Sequence, residues 1–289
     1  ITVRDWSSDV CSSDLNFKNA SPALRFGMLL PLWGVNRRTK ELLWTTSDIS
    51  HEVRGPLRQE REIKLNNKVD ALAQAAALNP EDKAAMKALA DRQSHLAGNL
   101  PHMLSLDATA IAPFTTGLGN EHPLENGFAF LNPYGLPYLA GSGVKGVLRQ
   151  AARELASGQW GNEHGWSADK QFEIRVNGKS LAISMLDALF GLESQDGDTL
   201  HMRGALSFWD VIAQMPNNCN SLHVEVMTPH QSHYYQQKSD PKTGSSATPH
   251  DSGQPTPISF LTVPPGSGMT FHVQCDLPHL NGSDRKSVV

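Results

Sequence analysis

Between Gly135 and Leu155 the chain reads GLPYLAGSGVKGVLRQAAREL: a short apolar stretch, a Gly-Ser-Gly step, then a helix-forming run. Val144, Val147, Leu148, Ala151 and Leu155 recur on one face at helical spacing, while Lys145, Arg149 and Arg153 recur four apart on another. A strand that feeds an amphipathic helix needs a sheet for the apolar stripe to cover, and the flanking sequence supplies short strands. Residues 108–141 alternate apolar segments with Gly, Pro and Asn; ISMLDALFG (183–191) reads as a helix, and GALSFWDVI (204–212) and LHVEVMT (222–228) alternate as strands do. TPISFLTVPPGSGMTFHVQCDL reads as a hairpin turning at Pro-Pro-Gly-Ser-Gly. This order predicts an α+β sheet with helices on one face, for which the ferredoxin-like (RRM-like) split is the natural candidate.

Upstream, residues 57–98 are rich in Ala, Leu, Lys, Glu and Gln and predict two helices broken at Asn79-Pro80, where Glu81 and Asp82 suit a fresh first turn. This stretch is a helical insertion. Residues 236–256 hold no Val, Leu, Ile, Met, Phe, Trp, Tyr or Cys, which predicts a mobile loop. The opening ITVRDWSSDVCSSDL and the closing DRKSVV resemble translated sequencing-adapter sequence, so residues 1–15 and 282–289 are expected to be non-native. That leaves 16–100 as an N-terminal segment with the helical insertion and 101–281 as the main domain. A chain cut in this way is expected to be truncated at its C-terminus and to leave a bare sheet edge beside FHVQCDL.

Composition narrows function. Lys plus Arg number 25 against 29 Asp plus Glu, a net charge of −4, so any polyanion site is a local patch. No apolar run reaches the ~18 residues of a spanning helix and no secretory leader is visible, which predicts a cytoplasmic protein with no membrane partner. Cys11, Cys219 and Cys275 are an odd set without CxxC spacing; they suit neither a disulfide framework nor zinc, and buried thiols are expected.

The helix start at 141–146 is the candidate anion site. Unpaired N–H groups and the dipole favour an anion there, Gly141, Ser142 and Gly143 let one approach the backbone, and Ser142 has the side chain of a cap. Lys145, Arg149 and Arg153 continue the positive charge turn by turn, which fits a linear polyanion better than one nucleotide. A plain helix cap with a solvated cationic face explains the same residues. GSGVKG lacks the Ser or Thr that follows the lysine of a P-loop, which argues against ATP hydrolysis.

The remaining candidates are weaker. His230 and His233 have H-x-x-H spacing, but they leave a strand for a loop with no Cys or acid beside them, so a solvated loop or an RNA contact is expected, not a metal. Tyr234 and Tyr235 suit base stacking or packing alike. His122 lies in the glycine-rich TTGLGNEHPLENG. Asp210 reads as a hydrogen-bonded structural aspartate before a general base, and Trp209 as core. No cofactor is expected.

GLPYLAGSGVKG resembles the helix-start signature GLPYIPGSSLKG of the RAMP superfamily of CRISPR-associated proteins, and LFG followed by GALSFWDV resembles its second characteristic segment. With SPALRFGMLLPLWG, EVMTPHQSHYY and PISFLTV in the same order, the resemblance covers nearly all of residues 21–275 and is nearest to the sixth-subunit family of Cmr (type III-B) effector complexes. It implies one or two ferredoxin-like units in a non-catalytic subunit that binds CRISPR RNA. Its partners would be that RNA, with target RNA as a further candidate, and other Cmr subunits. It carries Gly141, Ser142, Lys145 and Arg149 into the guide-contacting helix start. The family's C-terminal glycine-rich loop is absent. The rival reading is a RAMP endoribonuclease that processes CRISPR RNA by metal-independent acid/base chemistry at His122, His230 or His233.

Overall fold

The computed structural model describes residues 17–29, 33–35, 42–44, 49–54, 59–64, 67–123, 126–161, 171–176, 179–192, 202–229 and 257–276. It is a mixed α+β structure with small antiparallel sheets. Contacts divide it into two compact units, one of Ile1–Lys83, Ile111–Pro137 and Met215–Gly266, the other of Ala84–Ala110, Tyr138–Gln214 and Ser267–Val289. No described helix is long and apolar enough to cross a membrane.

The first unit opens with α1 (Pro22–Gly27), capped by Ser21, whose hydroxyl accepts the Leu24 N–H. Two short ladders follow, β1 (Trp33–Val35) with β2 (Leu42–Trp44) and β3 (Ile49–Arg54) with β4 (Gln59–Lys64). The helix expected from residue 57 therefore begins later, because residues 59–64 form a strand. QEREIK is made of good helix formers, but its backbone pairs along its whole length with β3, Glu52 opposite Arg61 and His51 opposite Glu62, and that pairing overrides local propensity. The helices are α2 (Asn67–Ala76) and α3 (Pro80–Asn99), broken at Asn79-Pro80 as expected. Asn79 and Asp82 close a reciprocal capping box: the Asp82 N–H donates to Asn79 Oδ1 at 2.6 Å and the Asn79 N–H to Asp82 Oδ2 at 3.0 Å.

Arg25 locks this junction. Its side chain is 2% exposed, and it donates to the Gln74 and Ala77 carbonyls at the end of α2 while lying 3.5 Å from the Asp82 carboxylate. One guanidinium thus satisfies carbonyls that α2 leaves open and faces the acid that starts α3. Against α2 packs a ladder of β14 (His223–Met227) and β15 (Ile258–Thr262), with Leu72, Leu222 and Leu261 buried in the unit.

The second unit is built on a three-stranded sheet in the order β12 (Leu206–Phe208), β16 (Gly268–Cys275), β5 (Met103–Thr109). Three sequence expectations change here. β15 and β16 do not form a hairpin, since each pairs elsewhere across the Pro264-Pro265 turn. The edge beside FHVQCDL is not bare, because β16 is the central strand, bonded along 268–274 by β5 and along 273–275 by β12. GALSFWDVI is not one strand: it bends at Trp209-Asp210, so that β12 joins β16 while β13 (Val211–Ile212) joins Tyr138 and Leu139 of β7 (Leu136–Leu139).

Over this sheet lies α4 (Gly141–Ala156), packed on β12 and on α5 (Met185–Phe190). Its buried stripe is narrower than expected: Gly141, Val144 and Ala152 are buried, whereas Val147 is 72% exposed. The helix start is pressed so closely onto the β12–β13 bend that a Cβ at Gly141 would strike the Phe208 carbonyl, and that pins the inward face on the smallest residues. α5 is capped by Ser184 and stacks Phe190 on Phe208 at 6.0 Å. The ladders of β8 (Gln171–Val176) with β9 (Lys179–Ser184) and of β10 (Gly191–Leu192) with β11 (Met202–Arg203) flank it.

Candidate nucleic-acid interface

The anion nearest the helix start is the protein's own. Asp210, at the β12–β13 bend, accepts the Gly141 N–H at 2.8 Å, while the cap residue Ala140 makes no side-chain bond. Asp210 thus has the structural role its position suggested, and it places a carboxylate at the positive end of the dipole. One expectation is corrected: Ser142 is not the cap, because it lies inside the first turn, and Gly141 is pressed onto the Phe208 carbonyl. Ser142 and Gly143 are exposed.

The cations lie one to three turns further along. Lys145 and Arg149 are half-buried and Arg153 is exposed. Arg149 donates through Nη2 to the Gly191 carbonyl at 3.2 Å, while its Nε is buried without a partner. Burial pulls the Lys145 ammonium below its ordinary pKa, and the neighbouring charges of Arg149 and Arg203 pull it further. Arg203, on β11, is a cation that helical periodicity could not have found. It is exposed, with Nη2 donating to Ser207 Oγ at 3.0 Å. Among the described residues, no acid is paired with Lys145, Arg149 or Arg203.

The histidine candidates separate. In the first unit His122 stacks on Phe26 at 3.8 Å with its Nε2 2.8 Å from the Phe26 carbonyl oxygen, and burial lowers its pKa. That is a packing role, which leaves one fewer ring free for acid/base work. His230, His233, Tyr234, Tyr235 and the loop 236–256 lie outside the described residues, as does Cys11. Cys219 and Cys275 are free thiols, half-buried where full burial was expected. The sequence reading passed over His272, buried in β16 with Nδ1 2.8 Å from Ser105 Oγ and its ring tilted against Trp209, which is itself half-buried.

The sequence profile of the RAMP superfamily matches residues 107–271, more than half of the chain and all of α4, β11 and β12. The chain belongs to the RAMP superfamily. Among curated RAMP relatives it is 28% identical over 183 residues to CRISPR system Cmr subunit Cmr6 of Pyrococcus furiosus, an alignment covering 51% of this chain and 50% of that protein. The chain therefore spans about half the length of that relative. Solved structures that it is similar to include a chain of the type III-B Cmr-beta complex bound to cognate target RNA, at 16% identity, with 74% of this chain and 60% of that one covered and a TM-score of 0.43. Crystalline Cmr6 from Pyrococcus furiosus is 23% identical, with 63% and 86% covered and a TM-score of 0.28.

Proposed function

We propose that this RAMP chain is a non-catalytic, CRISPR RNA-binding structural subunit of a type III-B (Cmr) effector complex. In this reading the second unit is a ferredoxin-like RAMP domain that holds the RNA backbone with Lys145 and Arg149, and its partners are the other Cmr subunits. The observation that carries the reading is that these two cations are half-buried with, among the described residues, no acid against them. Desolvated like charges repel, and a phosphodiester is the anion that the family resemblance supplies to relieve that repulsion. Gly143 and Ser142 flank the same helix start and are second-rank contacts in this reading, while Arg153, exposed a turn beyond Arg149, lies outside the site.

The test is RNA binding by the Lys145→Ala, Arg149→Ala double variant at graded salt. Each phosphate left unneutralised on a single strand lowers the slope of log affinity against log salt by about 0.7, so the double variant is expected to lose about 0.7 where both cations hold one phosphate and about 1.4 where they hold two. An unchanged slope would return both side chains to an ordinary solvated face. Incubation of the unmodified protein with labelled repeat RNA, without metal, is expected to leave the RNA uncut; specific cleavage would replace this reading with the endoribonuclease one.

A further inference from the structure

The contacts of Arg149 redraw the shape of the cationic site. Its guanidinium is tied to the Gly191 carbonyl, and Gly191 stands directly opposite Arg203 in the β10–β11 ladder. Arg149 and Arg203 thus sit on either side of one backbone position. That position is bare by necessity: Gly191 has φ +97°, and a Cβ there would lie 2.7 Å from the Met202 carbonyl oxygen and 3.0 Å from the Gly204 nitrogen. Ser207 holds one nitrogen of Arg203, leaving its remaining donors free to turn, and Arg149 Nε is a desolvated donor with no acceptor.

We propose that Arg203 completes a three-point phosphate clamp with Lys145 and Arg149, so that the protein grips one phosphodiester of RNA at this point instead of tracking the backbone along α4. The inference rests on the RNA-binding reading above. Burial, and then the charges of Arg149 and Arg203, depress the pKa of Lys145, and a phosphate between the three would oppose that shift. A phosphate oxygen also gives Arg149 Nε the acceptor that it lacks. Arg153 lies a turn further on, is exposed, and belongs to the solvated surface.

The test compares Lys145→Gln, Arg149→Gln, Arg203→Gln and Arg153→Gln in binding a labelled single-stranded RNA of mixed sequence across a salt series, with thermal unfolding of each variant as a folding control. Arg203→Gln is expected to weaken binding about tenfold, as loss of a charged hydrogen bond does, and to leave the salt slope nearly unchanged, because Lys145 and Arg149 still neutralise the same phosphate. Arg203→Lys should restore most of the affinity. The Lys145→Gln, Arg203→Gln pair should weaken binding less than the product of the two single effects, because both contacts end on one phosphate. Arg153→Gln should bind as the unmodified protein does. If Arg203→Gln binds normally while the Lys145 and Arg149 variants weaken, the clamp is wrong and the RNA reading stands. If Arg153→Gln weakens binding as much as the others, the cations track the backbone and the clamp is again wrong. If none of the four changes affinity or slope, the RNA reading itself falls.

Discussion

Gly146 sits inside α4 with no atom within 4 Å of where its Cβ would be. Among the described residues nothing requires glycine there, and glycine in a helix interior is unfavourable against alanine by roughly 0.5–1 kcal/mol. Gly146→Ala is therefore expected to stabilise the protein by about that amount, read from the denaturant midpoint; an unchanged or lower midpoint would mean that the backbone at 146 is not the open helical turn described. Lys145 has a pH signature. Its folded-state pKa lies below the ordinary 10.5, so in the interval between the two values the unfolded chain binds more protons and stability climbs with pH. Lys145→Gln should remove that rise and be more stable than the parent at neutral pH; parallel urea midpoints for the two proteins across the alkaline range would contradict it. At this scale Lys145 and Arg149 were legible because four-residue spacing puts both on one helical face. Arg203 was not, because its place beside them depends on a two-residue ladder whose pairing no local pattern announces.

At the scale of elements, ends and bends were harder to read than middles. The break at Asn79-Pro80 was legible because a cap and a proline are local chemistry, whereas β4 was hidden in helix-forming residues whose partner strand decides their state. The bend at Trp209-Asp210 was hidden in an unbroken alternation, and yet it sets up α4: the turn between β12 and β13 delivers the carboxylate that the helix start lacks. Asp210→Ala should remove that acceptor and cost about 1 kcal/mol, the usual value of a helix N-cap, while Asp210→Asn, which keeps an acceptor oxygen, should cost less. Chemical denaturation of the two variants separates a cap from a bystander, since equal and negligible losses would show that Gly141 does not depend on Asp210.

On the scale of the whole molecule, family and class were legible and connectivity was not. The helix-start signature and the strand-rich composition pointed to an α+β RAMP chain, but pattern alone made β16 half of a hairpin. It is the centre of a sheet whose other strands lie far away in the chain, and only long-range pairing determines that. The second unit is assembled from three separated stretches, with β16 joining β5 to β12. A chain ending before Gly268 is expected to lose the fold of the whole second unit, seen as rapid proteolysis within 138–214; a truncated protein that keeps this stretch protected would show that β16 is an accessory strand. The same arrangement sets a schedule for synthesis. β5 leaves the ribosome about 160 residues ahead of the strand that shields it, which at the usual 5–20 residues per second is roughly ten to thirty seconds. Through that interval the backbone N–H and C=O groups of β5 have no strand to pair with, an open edge on the nascent chain that invites pairing with another chain until β16 arrives.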